Sequence, residues 1–336
     1  MASKYLKETV QSYENYIEKN GIDESVINAY VEAVEVALLT EKDKEYGLKL
    51  SAKAKELIFE YISIVTNGAD FKWLEEQSQT NKQTYEIIEK YYKVLLYEAP
   101  MLLDSYILYI EKDRPRKERF YEPRRKTLKQ VVDKIQELED GKLDELFIHM
   151  PPRIGKSQII TLAMSWHCAK DTEKSNLYIT YKEGLGGAFL TGVMEIWTDP
   201  TYCFADVFPD IKVACTDAKN NKVDLKRKKK YKTLSGKGLE SGLNGEYDAY
   251  GWMVLDDILE GIQDVLNPET LKRKQIIFDN NVMSRKKEQC KLIHNGTIWS
   301  LHDLYSDRLD FLQNNPEAKD IRYEILKITA LDENDE

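Results

Sequence analysis

The stretch that most limits how this chain can fold is Leu146-Phe-Ile-His-Met150, then Pro151-Pro-Arg-Ile-Gly-Lys-Ser157, then a run rich in Ile, Leu, Ala and Met. A short apolar strand, a turn holding Gly-Lys-Ser and a helix make one unit, and in that context the turn reads as a phosphate-binding loop. Gly155 lets backbone N–H groups approach an anion with no Cβ in the way. The helix beginning near Lys156 presents unpaired N–H groups and the positive end of its dipole. Lys156 is expected to reach the β- and γ-phosphates of ATP, and Ser157 to offer its hydroxyl to Mg²⁺. Met150 stands where the pattern GxxxxGK[ST] has its first glycine. Pro151 and Pro152 can replace that glycine's bend with fixed φ values but remove two N–H donors. Arg153 is expected to compensate at the γ-phosphate. The nucleotide contacts expected here are Pro152, Arg153, Ile154, Gly155, Lys156, Ser157 and Gln158.

The rest of the second half follows the same alternation. Strands are expected at Leu146–Met150, Asn176–Tyr181, Trp252–Asp256, Lys291–Asn295 and Arg322–Ile328. Helices are expected at Thr127–Glu139, closed by Gly141, and at Lys156–Ala169, Leu185–Trp197, Pro268–Met283 and His302–Gln313. This pattern predicts an α/β domain with a mostly parallel sheet covered by helices on both faces.

The strand Tyr250-Gly-Trp-Met-Val-Leu-Asp-Asp257 ends in two acids. An acid at a strand tip beside a phosphate loop suits Mg²⁺, which assigns Asp256 to the metal. Asp257 is expected to hold and polarise the attacking water, with Glu260 as the reserve. The spacing of about a hundred residues from the phosphate loop leaves room for an extra strand–helix unit, as in the additional-strand class of P-loop ATPases. Cys290-Lys-Leu-Ile-His-Asn-Gly-Thr297 is expected to lie between the two motif strands, with Asn295 and Thr297 as sensors of hydrolysis, or as a plain strand-ending turn.

Before Pro115 and Pro123 the pattern is helical, with Val26, Tyr30, Val34 and Ala37 and then Leu57, Tyr61, Ile64 and Val65 at helical spacing. Gly21, Gly47 and Gly68 read as punctuation, and Asp23 and Asn81 as N-caps. The tyrosines and leucines between Tyr85 and Tyr109 read as helix core. The expected organisation is a helical region over 1–112, a linker or adenine-side segment over 113–126, and a P-loop domain over 127–336 whose end, from about 301, is a lid or linker. The net charge of −9 argues against a nucleic-acid partner until its distribution is seen. Lys212 to Lys237 carries ten Lys/Arg against Asp217 and Asp224. The segment Leu225-Lys-Arg-Lys-Lys-Lys-Tyr-Lys-Thr-Leu-Ser-Gly236 is expected to be a hairpin strand with a basic face. It would serve either to track a phosphate backbone or simply as a solvated edge. Four scattered cysteines and four scattered histidines make no zinc pattern, and reduced thiols in a cytoplasm fit best. No apolar run approaches the 18 or so residues of a membrane span.

Taken in order, these motifs resemble the large subunit of tailed-phage terminases. Pro151-Pro-Arg-Ile-Gly-Lys-Ser157 is similar to that family's deviant phosphate loop, and Ile179-Thr-Tyr-Lys-Glu-Gly-Leu185 to the strand and turn after it. Ser241-Gly-Leu-Asn-Gly-Glu246 and Leu255-Asp-Asp-Ile258 resemble the approach to its double-acid Walker B. Asn295-Gly-Thr-Ile-Trp-Ser-Leu-His-Asp-Leu304 resembles its coupling motif. The resemblance runs from about Glu111 onward. It implies Arg153, Lys156 and Ser157 for phosphate and Mg²⁺, Asp256 and Asp257 for metal and water, and Thr297 for coupling. It also implies an adenine-side motif near Phe120, Tyr121 and Arg124, where a linker packed on the sheet is the other reading. The family commonly has an arginine after the second strand that reaches a neighbour's ATP; Lys182 to Lys226 contains none, and Arg227 is the nearest replacement. Its RNase H-like nuclease is not expected here, since the chain stops soon after the last strand.

The implied activity is ATP hydrolysis driving double-stranded DNA into a procapsid. The implied partners are a portal protein and a small terminase subunit, with a homo-oligomeric ring (a pentamer in the family) when assembled and a monomer in isolation as the alternative. The implied location is the bacterial host cytoplasm, transiently at the portal vertex, with no membrane. A helicase-like or other nucleic-acid remodelling ATPase is the alternative, and a nucleotide-dependent binding module is a third reading.

Overall fold

A computed structural model describes residues 2–66, 68, 82–243, 247–300 and 302–328. Its contacts divide the chain into two compact units, Met1–Lys112 and Asp113–Glu336. Among the described residues no helix is long and apolar enough to cross a membrane.

Among the described residues the first unit holds five α-helices: α1 (Lys4–Asn20), α2 (Glu24–Glu35), α3 (Lys44–Val65), α4 (Lys82–Glu98) and α5 (Leu103–Ile110). Ser3, Asp23 and Asp43 cap the first three, each accepting from a backbone N–H three residues on. Asn81 lies outside the described residues. Gly21 ends α1 at φ 80°, whereas Gly47 sits inside α3, where a Cβ would collide with Leu38. That glycine serves close packing and does not punctuate. Val26, Tyr30, Val34 and Ala37 are buried as expected, but Ile64 and Val65 are exposed. The buried stripe of α3 runs through Leu50, Ala54, Leu57, Ile58 and Ile62 instead. Buried Glu98 ties three helices together: its carboxylate accepts from Lys55 Nζ at 2.7 Å, from Ser105 Oγ at 2.6 Å and from Ser51.

The second unit is α/β. Its strands are β1 (Glu145–His149), β2 (Asn176–Thr180), β3 (Val213–Asp217), β4 (Lys222–Leu225), β5 (Leu234–Gly238), β6 (Trp252–Asp256), β7 (Lys291–Asn295) and β8 (Tyr323–Lys327). They form one sheet in the order β3-β4-β5-β2-β6-β7-β1-β8. The six strands from β5 to β8 in that order are parallel, and β3 and β4 add an antiparallel edge. Helices α6 (Arg125–Glu139), α7 (Lys156–Lys170), α8 (Glu183–Thr198), α9 (Phe204–Val207), α10 (Ile262–Leu266), α11 (Pro268–Ile277) and α12 (Leu304–Asn314) flank it. The helix expected to reach Met283 ends earlier, passing at Phe278 into a wider turn.

Strand alternation sorts the side chains. Leu177, Ile179, Met253, Leu255 and Leu292 face one core with Phe278, Val282, Leu304 and Tyr305. The alternate residues face α7 and α8: Tyr178 stacks on Phe189 at 3.6 Å between ring centroids, and Trp252 on His167 at 4.0 Å. Helix α7 is buried nearly all round, from Ile159 to Ala169, which is why it lacks a polar face.

Only the ends of the expected basic hairpin strand are strand: Leu225 closes β4 and Leu234–Gly236 open β5. Residues 226–233 form the loop between antiparallel β4 and β5. Fully buried Asp224 organises it, accepting from Lys229 N at 3.0 Å, Thr233 N at 3.1 Å and Lys232 Nζ at 3.0 Å. A ladder cannot form where one carboxylate gathers three donors from the same short segment. Because β5 runs parallel to β2 and β6, this loop sits at the end of the sheet where those strands begin. It lines a cavity of about 480 Å³ with Ser175 and Tyr250, which directly precede β2 and lie just before β6.

Candidate active site

Parallel strands bring their C-terminal tips to one end of the sheet, and the loop from β1 to α7 lies there. Gly155 takes φ 102° as the residue before α7, a backbone state that suits glycine, and a Cβ on it would collide with the Phe120 ring. Arg153 also has positive φ, at 69°. Lys156 opens α7 and its side chain is buried, 9% exposed. Its Nζ donates to Asp257 Oδ1 at 2.9 Å and lies 3.5 Å from Thr297 Oγ1. One ammonium therefore meets the tips of β6 and β7 from the start of the helix that follows β1.

Strand β7 lies between β1 and β6, with Asp256 directly opposite Asn295. Asp256 is buried, and its carboxylate accepts from Tyr178 OH at 2.6 Å and from Asn295 Nδ2 at 2.7 Å. Burial raises its pKa to about 6, and the neighbouring Asp257 charge adds to the rise. Hydrogen bonds from Tyr178 and Ser157 and the Lys156 charge oppose it. The Ser157 hydroxyl is thus within reach of the Asp256 carboxylate. Asp257 has positive φ, 42°, a state uncommon outside glycine and often kept at functional turns. Neighbouring tips hold its backbone: its N–H donates to Asn295 O at 2.9 Å, and Tyr181 N–H donates to its carbonyl at 3.2 Å.

Beside these groups opens a cavity of about 350 Å³ lined by Ser157, Gln158, Thr161, Tyr178, Asp256 and Asp257. Thr180, Tyr181, Leu185, Ala188 and Phe189 complete its lining. The donor set fits a hydrated Mg²⁺ next to phosphate: one hydroxyl and one carboxylate converge, and the ion keeps waters and phosphate oxygens as its other ligands. Among the described residues no group of three or more His, Cys, Asp or Glu is arranged to hold a metal by itself. The turn at Gly155, the buried ammonium and the first turn of α7 fit a polyphosphate.

Of the expected residues, Lys156, Ser157, Gln158, Asp256, Asp257, Asn295 and Thr297 come together. Pro152 and Arg153 are exposed, and Ile154 and Gly155 half-buried, on the loop itself. Glu260 is exposed beyond Asp257 and does not line the cavity. Tyr121 is a correction: it is fully buried, with no ring face left for a base. An aromatic beside a phosphate loop is also a good core residue, and here the core claims it. The neighbouring Phe120 is the half-buried aromatic at the loop, and exposed Arg124 lies over its ring at 5.0 Å. Sequence reasoning missed Tyr178, whose only signal is an aromatic on the strand beside the acid-bearing one. It also missed Tyr305 and Glu183. Glu183 opens α8 and accepts from Lys237 Nζ at 2.8 Å, Gly238 N at 2.9 Å and Ser241 Oγ.

No family model matches this sequence, and no curated protein does.

Proposed function

We propose that the chain is a Mg²⁺-dependent ATPase of the additional-strand P-loop type, serving as the motor part of a phage terminase-like DNA packaging machine. The observation that carries the reading is the convergence on Lys156 Nζ of Asp257 Oδ1 at 2.9 Å and Thr297 Oγ1 at 3.5 Å, with β7 between β1 and β6. Three sequence-distant motifs meeting at one end of a parallel sheet is the arrangement this chemistry requires.

Lys156 leaves Asp257 to bind the terminal phosphates of ATP, and the N–H groups at the start of α7 orient them. Ser157 and Asp256 would hold Mg²⁺, which would supply positive charge against that building on the phosphates. Asp257, freed from its ion pair, orients a water toward the terminal phosphate. Thr297 reads the state of that phosphate at the tip of β7. Double-stranded DNA would be gripped through its backbone by exposed Arg227, Lys228 and Lys230, whose loop is preorganised by Asp224. Portal and small-subunit partners and a ring of copies belong to the same reading.

The test is ATP turnover by the purified chain, with and without double-stranded DNA and across protein concentrations. The reading requires Mg²⁺-dependent turnover that Lys156→Ala removes. Absence of turnover under all these conditions, with ATP binding undetectable by calorimetry, overturns it.

A further inference from the structure

Tyr305 lies in the first turn of α12, is almost fully buried, and turns its phenol back toward the sheet. Its hydroxyl meets three backbone groups. Ile258 N–H donates to it at 3.2 Å, while Leu255 O and Asn295 O lie at 3.2 and 3.4 Å as acceptors for its proton. Leu255 and Ile258 bracket Asp256 and Asp257, so the hydroxyl closes the turn that carries both acids. Asn295 O already accepts from Asp257 N–H, and Asn295 is two residues before Thr297. A single phenol therefore ties the acidic tip of β6 to the polar tip of β7.

The surroundings hold it there. Asp303, fully buried, accepts from Trp299 N at 2.6 Å, Ser300 N at 3.2 Å, Tyr305 N at 3.1 Å and Ser306 N at 2.9 Å. One carboxylate thus gathers Trp299, Ser300 and the first turn of α12. Gly296 faces the phenol so closely that a Cβ there would collide with it. Only one proton serves two carbonyls, so the hydroxyl favours whichever tip lies nearer.

We propose that Tyr305 is a positioning residue: its hydroxyl sets the spacing between the β6 and β7 tips, so that Asp257 and Thr297 act on the same nucleotide in register. This rests on the ATPase reading above. Tyr305→Phe keeps the ring and removes both the bond accepted from Ile258 N–H and the proton shared between Leu255 O and Asn295 O. Expected are a fall in kcat of about tenfold, a KM for ATP within about twofold of wild type, and retained ATP binding. In a Thr297→Ala background, the same change is expected to lower kcat less than about twofold, because the spacing no longer has a reader. The proposal is overturned if Tyr305→Phe leaves kcat unchanged, if it raises KM alone, or if its full effect persists in the Thr297→Ala background. Wild-type chain without ATP turnover or binding defeats the ATPase reading itself, a result read separately from any Tyr305 variant.

Discussion

Asp256 and Asn295 stand opposite each other in neighbouring parallel strands, and the Asn295 amide donates to the Asp256 carboxylate at 2.7 Å. The other amide atom, Asn295 Oδ1, is buried without a hydrogen-bond partner. The pair is therefore imperfectly matched while the acid is charged, and a proton or a cation at Asp256 would relieve it.

The burial of that carboxylate has a consequence for stability. The folded pKa of Asp256 is raised from 3.8 to about 6, so between those values the folded chain holds a proton that the unfolded chain releases. Stability falls as pH rises through this window, and the full penalty, on the order of 3 kcal/mol, is present above it. Asp256→Asn is expected to raise the melting temperature of the nucleotide-free chain at pH 7.5 and not at pH 4, with the Asn295 amide turned to present Oδ1 to the new donor. It should also abolish Mg²⁺-dependent turnover. Calorimetric melts at the two pH values decide it, and equal shifts at both would refute the assignment.

Lys156 and Asp257 pair at 2.9 Å, and the proposed function gives them different roles. Lys156→Ala is expected to weaken ATP binding at least about tenfold, because it removes the only buried cation reaching the site from α7. Asp257→Asn should keep binding within about threefold while lowering kcat by about a hundredfold. Isothermal titration beside steady-state turnover separates the two. Normal hydrolysis by Asp257→Asn would move the water-orienting role elsewhere.

Gly155 and Phe120 make a packing test of the loop. Gly155→Ala places a methyl against the Phe120 ring at a φ that alanine disfavours, and should destabilise by about 1–3 kcal/mol. Adding Phe120→Ala should recover the steric part and leave about 1 kcal/mol of backbone strain. Denaturant titration of the four proteins in the cycle gives the coupling; strict additivity would mean that the ring does not matter.

The helical unit depends on Glu98. Glu98→Ala strands the Lys55 ammonium and removes the acceptor of Ser105, while Ser51 keeps Leu48 O at 3.0 Å, at a cost of about 3 kcal/mol. Hydrogen exchange should speed up across α3, α4 and α5. Unchanged exchange there would show that solvent replaces the carboxylate at little cost.

Charge-neutral replacement of Lys228 and Lys230 should weaken duplex DNA binding equally for unrelated sequences and flatten its salt dependence by about two counterions. Fluorescence anisotropy across a salt series measures the slope. A preference for one sequence would contradict backbone gripping.

Much of this was legible because the informative residues are consecutive. Gly-Lys-Ser after an apolar run and Asp-Asp at the end of another declare their positions without knowledge of register. The β5 strand gave no such signal: Leu234-Ser-Gly-Lys-Gly238 has one apolar side chain, and it is buried because Gly236 and Gly186 let strand and helix backbones touch. β4 hides likewise behind Lys222 and Asp224, polar residues buried by partners and not by their own hydrophobicity. Tyr178 and Tyr305 act across strand boundaries, so their roles depend on pairing register, which composition does not encode. Tyr121 misled because an aromatic suits a core as well as a base.

Strands β2 and β6 begin beside the lysine-rich loop and finish at Tyr178's reach and at Asp256. Five extended residues span roughly 17 Å, and hydrogen-bonded ribbons of that kind are stiff lengthwise. A load applied at the basic edge would thus be borne by the same two struts that aim Tyr178 and Asp256, with no hinge between handle and blade.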